Sequence, residues 1–177
     1  MKVLTNNPDR RRTTILIAAA LFVAAVVAIF AVAASGALSA WTRQADIAER
    51  GAQVMPFDLE RTTHIFDPRD DGGVQSVVAD DPSDAEQIGL IRSHLQEEAD
   101  KFRRGDFGDP ATIHGDAMPG LEALRAGFGR IDVRYGELPD GGQIRYTTTD
   151  PTLVTALDDW FAAQLSDHGS DATDHAS

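Results

Sequence analysis

The sequence predicts an α+β fold: an N-terminal transmembrane helix, then two ββα units forming a four-stranded antiparallel sheet with helices on one face. Three observations carry this expectation. An unbroken apolar run from Ile15 to Ala34 follows Arg10, Arg11 and Arg12. Asp-Gly-Gly occurs twice, at Asp71 and Asp140, 69 residues apart, and Asp-Pro follows each copy at the same distance, at Asp81 and Asp150. Strand-like residues flank both tripeptides, and an apolar stripe at helical spacing follows both Asp-Pro pairs.

The apolar run defines an anchor over 15–35. At ~1.5 Å per residue it spans about 30 Å, the thickness of a bilayer's hydrocarbon core. The arginines before it place residues 1–14 in the cytoplasm and the rest of this single-pass chain outside. Trp41 beside Arg43 reads as an interfacial anchor at the far end. A cleaved leader is the rival reading, with Ala31-Val32-Ala33 as its cleavage site; a leader's apolar core is shorter than this one, which favours a retained anchor. Residues 36–55 read as a stalk, with the helix running to about Arg50, Gly51 ending it, and Pro56 opening the globular part.

The outer domain spans 56–168. Thr62-Thr63-His64-Ile65-Phe66 and Ile131-Asp132-Val133-Arg134-Tyr135 are strand-like, as are Val74 to Ala79 and Gln143 to Thr149. Asp-Gly-Gly supplies the positive φ that a hairpin turn needs. Asp81 and Asp150 are expected at N-cap, with Pro82 and Pro151 at the first helical position, where a missing N–H is harmless. Ile88, Ile91, Leu95, Ala99 and Phe102 mark one core-facing stripe, and Leu153, Leu157, Trp160 and Phe161 belong to the other. Between the units, an insertion over 105–128 has no counterpart: a short helix capped by Asp109, a turn, and a helix from about Pro119 to Gly127. The tail, 169–177, is small and polar and reads as disordered.

Composition removes several function classes. With 16 Lys+Arg against 28 Asp+Glu the net charge is −12, which argues against a nucleic-acid partner. The absence of Cys rules out disulfides, thiolate metal sites, iron–sulfur ligation, Cys nucleophiles and a lipidated N-terminus. No Gly-x-Ser-x-Gly elbow, His-Glu-x-x-His, calcium loop or Walker pattern occurs, and no spacing selects a catalytic carboxylate pair. Hence no catalytic residue is assigned.

A metal site outside the cytoplasm must be built from His, Met and carboxylate. The candidate ligands are His64, His94, His114 and Met118, holding copper or zinc. His64 shares a strand face with Phe66, so it points at the helices if Phe66 is core. His94 and Glu98 sit one turn apart, and imidazole with Glu98 suits zinc; imidazole with thioether suits copper. Each residue also has an ordinary structural role open to it: His64 as a buried hydrogen-bonded histidine, His94 at a helix edge, Met118 as core filler. His168 before Gly169 reads as a helix C-terminus, and His114 before Gly115 admits the same reading.

The outer domain also resembles a family of small, largely uncharacterised bacterial proteins, exported or membrane-anchored. The matching segments are Met55-Pro56-Phe57-Asp58, Thr62-Thr63-His64-Ile65-Phe66, Ile91-Arg92-Ser93-His94-Leu95, Gly105-Asp106-Phe107, Ile113-His114-Gly115, Met118-Pro119-Gly120-Leu121 and Trp160-Phe161 through Asp167-His168-Gly169. They cover nearly all of 55–170. Members of that family usually have Leu-His before the Trp-Phe pair, where this chain has Leu157-Asp158. Some members carry the label aspartate carbamoyltransferase. That activity needs a Ser-x-Arg-Thr phosphate loop and a His-Pro-x-Gln segment; this chain has only Leu59-Glu60-Arg61-Thr62 and no His-Pro.

Two functions follow as expectations. The first is a membrane-anchored, non-catalytic module that binds copper or zinc, with His64, His94 and His114 converging on one point. The second is a scaffold or interaction domain for an envelope protein, with scattered histidines and an unpaired strand or exposed apolar patch.

Overall fold

β-Branched and aromatic residues flank both Asp-Gly-Gly tripeptides, and each flanking pair forms a hairpin. In the computed structural model, which describes residues 38–39, 41–169 and 172–174, β1 (Thr62–Arg69) pairs antiparallel with β2 (Gly72–Ala79), and β3 (Asp132–Leu138) with β4 (Gly141–Thr147). The turns themselves are Asp70-Asp71 and Pro139-Asp140, and the glycines open the returning strands. Only the first copy has the expected positive φ, at Gly72 (140°), where a Cβ would run into the Tyr146 carbonyl, while Gly141 and Gly142 do not. β2 and β4 pair antiparallel across the middle, with Gln75 opposite Ile144. Those two residues are each other's counterparts in the 69-residue repeat, so a pseudo-twofold axis passes between them and relates the two ββα units.

The sheet has five strands in the order β3-β4-β2-β1-β5. The fifth corrects the expected four-stranded antiparallel sheet. β5 (Ala172–Thr173), within the tail read as disordered, runs parallel to His64 and Ile65 of β1. Without it β1 would be an edge strand with unpaired backbone groups, and the chain leaving the last helix passes along that edge.

α2 (Ala85–Arg103) and α5 (Pro151–His168) cover one face of the sheet. Asp150 caps α5, accepting from Thr152 N at 2.9 Å with Pro151 in the first helical position. Asp81 does not play that part for α2. It accepts from Ser83 N at 2.9 Å and holds a turn, and the helix starts three residues later with Asp84 as N-cap. The insertion supplies α3 (Gly108–His114) and α4 (Leu121–Gly127). Asp109 lies in the first turn of α3 rather than capping it; the N-cap is Phe107.

Phe66, Val77, Ile144 and Tyr146 of the sheet and Ile91, Leu95, Leu157, Trp160 and Phe161 of the helices are each 2% exposed or less. They form the centre of the core. Thr63, Ile65, Val74, Val78 and Gln143 point to the opposite face, which stays partly exposed.

The chain divides into two compact units, Met1–Thr42 and Arg43–Ser177. Residues 43–54 of the second unit form helix α1. This helix runs through Gly51 instead of ending there, because the glycine serves packing: a Cβ would stand 3.1 Å from Leu59 and 3.2 Å from Met55. Ile47 is 1% exposed and Met55 8%, so the latter part of the expected stalk is core rather than spacer. The transmembrane segment expected over 15–35 lies outside the described residues, and among those described no helix is long and apolar enough to cross a membrane.

Candidate functional site

Strand alternation sends His64 and Phe66 to the helical face, as the sequence implied, and His64 is only 3% exposed. Two helices end nearby, each in His-Gly. His114 closes α3 before Gly115 at φ 94°, and His168 closes α5 before Gly169 at φ 59°. The positive φ at each glycine turns the chain away and leaves the imidazole at the helix end. His64 and His168 stack at 4.8 Å between ring centroids, 12° from parallel. His114 and His168 stand 5.2 Å apart at 71°. His94, from α2, packs edge-on against Phe57 at 5.7 Å, and Phe57 in turn lies 5.9 Å from His64.

All four imidazoles line one internal cavity of about 40 Å³, together with Glu98, Trp160 and Gln164. Three of the four expected ligands line this cavity, and Met118 does not. Met118 lies under a separate cleft between α4 and α5, with Gly120 and Ala156. Its closeness to His114 in sequence misleads because the turn at Gly115 sends the chain elsewhere. His168 closes α5 before Gly169, as expected of a helix C-terminus, and lines the cavity as well. The doubled His-Gly helix ending was the signal that could have marked this second role.

Asp167 orients the cluster. Its carboxylate accepts from His114 Nδ1 at 2.9 Å and from Arg43 Nε at 2.6 Å and Nη2 at 2.7 Å. Nδ1 thus carries the His114 proton, and Nε2 is the nitrogen with a free lone pair. Burial works against the Asp167 carboxylate, yet its bonds from Arg43 and His114 hold it below the ordinary range.

Burial lowers the pKa of every histidine here. His64 falls well below its usual value, helped by repulsion from His168, His94 and His114. His168 falls to about 4 through burial and the neighbouring His114. His94 and His114 fall less, since Asp109 and Asp167 oppose the effect of burial. At neutral pH the cavity wall is four uncharged imidazoles.

Glu98 behaves the other way. Burial and its hydrogen bond with Asp109 raise its pKa to about 8, so a neutral Glu98 shares its proton with the Asp109 carboxylate. Lys101 Nζ reaches both, at 2.9 Å and 2.7 Å.

Three buried side-chain nitrogens have no hydrogen-bond partner among the described residues: His64 Nδ1, Trp160 Nε1 and Gln164 Nε2. All three residues line this cavity. Leaving such a group unsatisfied costs roughly 1–3 kcal/mol. The pseudo-twofold provides an internal control. At the 69-residue offset, His64, Trp160, Gln164 and His168 correspond to Val133, Ile91, Leu95 and Ala99, all buried and apolar. The fold fills the equivalent positions of its other half with hydrocarbon, so architecture does not demand the polar groups. Among the described residues, no three of His, Asp and Glu already stand in an arrangement that could hold a metal ion.

No protein-family model, curated protein or solved structure matches the chain.

Proposed function

We propose that the histidine cavity is a transition-metal site for copper or zinc, on a domain held outside the cytoplasm by the segment over 15–35. The anchor rests on the apolar run and its preceding arginines. The metal reading rests above all on one observation: the unpartnered buried polar nitrogens converge, with four imidazoles, on one small cavity.

Neutral imidazoles offer lone pairs without first losing a proton. His114, held through Nδ1 by Asp167, follows the carboxylate–histidine pattern that orients metal-ligating imidazoles. His168 is its partner ligand, with His64 stacked on it and able to join by rotating. Two or three imidazoles leave a coordination position open for water or a small anion. The N–H groups of Trp160 and Gln164 then find acceptors in that exogenous ligand. A cavity of about 40 Å³ suits an ion with a water and is too small for most organic substrates.

Calorimetric titration of the protein with Zn(II), Cu(II) and Cu(I) tests this, beside a variant changing His64, His114 and His168 to Ala. Stoichiometric, submicromolar binding that the variant loses is the expected result. Binding that survives the three changes, or no binding by the wild type, overturns it. A second reading, a docking domain for an envelope protein, draws on the partly exposed sheet face around Ile65, Val74 and Val78. Aspartate at Ile65 would abolish partner capture under that reading and leave metal binding intact.

A further inference from the structure

Val54, His94 and Asp109 line two spaces at once: the histidine cavity and a surface cleft of about 330 Å³. Among the described residues, these three side chains alone face both spaces. Glu97 and Lys101 complete the outer side. Lys101 Nζ lies 2.7 Å from Asp109, 2.9 Å from Glu98 and 3.1 Å from Glu97, so one ammonium ties α2 to the first turn of α3 across the mouth. α3 carries Asp109 near one end and His114 at the other, which links the mouth mechanically to the cluster. On the inner side, His64 Nδ1 is buried and unpartnered.

We propose that this cleft is the port through which a cation reaches the histidine cavity, with Lys101 as its latch. The identity of the cargo rests on the metal reading; the port itself rests on the shared wall. Glu97 and Asp109 draw cations to the mouth, and Lys101 must let go of Asp109 before the α3 end can swing outward. Val54 forms the apolar lip. A latch of this kind sets how fast the cavity fills and empties, without entering the coordination of what is inside.

The indole N–H of Trp160 reports on the port independently of any metal. The chain has two tryptophans, and Trp41, 77% exposed, gives a fast-exchanging reference signal in the same spectrum. In the full chain, hydrogen exchange of the Trp160 indole is followed by NMR for Lys101→Met, which frees the latch, and Val54→Trp, which blocks the lip. Lys101→Met should speed exchange about tenfold, and Val54→Trp should slow it by a similar factor. Zn(II) loading and release, followed by stopped flow, should change in the same directions together, so their ratio is kept. Unaltered Trp160 exchange in both variants overturns the port, whatever the metal results. Port-dependent exchange in a chain that takes no Zn(II) overturns the metal reading and leaves the port as a route for another small occupant. If Lys101→Met does not fold, Val54→Trp decides alone.

Discussion

Asp167 ties together parts of the chain that sequence keeps far apart. Through one carboxylate it joins Arg43 at the start of the domain to His114 in the insertion, and its neighbour His168 completes the cluster. Asp167→Asn keeps the shape but no longer requires a proton on His114 Nδ1. On the proposed metal reading, Zn(II) affinity is expected to fall about 10- to 100-fold, the loss typical when the carboxylate behind a ligating histidine is removed. An unchanged titration constant would reduce Asp167 to an ion-pair partner. The same residues set the acid behaviour of the protein. Unfolded, an imidazole takes its proton near pH 6.5; folded, His168 resists until about 4. Stability present above pH 6.5 is therefore lost as pH falls from 6.5 towards about 4, at about 1.4 kcal/mol per pH unit for such a group. Glu98 has the opposite sign: its contribution is full below its usual 4.5 and is lost as pH rises to about 8. Urea midpoints across pH 4–7 should fall on the acid side, and fall less steeply in His168→Ala.

At the scale of elements, the two Asp-Pro pairs look alike and act differently. Asp150 accepts from Thr152 N and starts α5 at Pro151; Asp81 accepts from Ser83 and leaves the capping of α2 to Asp84. Asp150→Ala should lower the Tm measurably, and Asp81→Ala clearly less. Equal losses would mean that both serve as caps. The hairpins and the two long helices were legible because their signals are local: β-branched flanks around a break, and apolar residues at three-to-four spacing. The start of α2 was not, since Asp81 and Asp84 are both able to take backbone N–H groups there. Neither was the start of α3, where Asp106 accepts from Gly108 N and the N-cap Phe107 makes no side-chain bond.

The whole molecule begins earlier than its sequence suggests. A chain starting at Pro56 would lack Ile47 and Met55 from the core and Arg43 from Asp167. Burying each of those apolar side chains contributes about 1.5–3 kcal/mol. Such a fragment should unfold at a much lower temperature than one starting at Arg43, and should bind Zn(II) more weakly. Equal melting curves would return residues 43–55 to the role of a stalk. The whole molecule also explains why one half of the repeat carries the chemistry. Sheet and helices repeat about the Gln75–Ile144 pair, yet His64, His94 and His168 have Val133, Ala163 and Ala99 across it, and His114 lies in the insertion, which has no counterpart.

Sequence alone determined the ββα repeat, the helical stripes and the burial of His64 beside Phe66. Each depends on neighbours within a few residues, where backbone sterics and side-chain periodicity suffice. The four cavity histidines, His64, His94, His114 and His168, are spread over more than a hundred residues of sequence. Which of them meet was a matter for tertiary structure. The parity of β1, the endpoints of α3 and α5, and the packing of α1 through Gly51 together place the imidazoles around one cavity. The turn at Gly115 takes Met118 away from it. Contacts between residues this far apart in the chain depend on how layers pack, and layer packing is settled by the core as a whole.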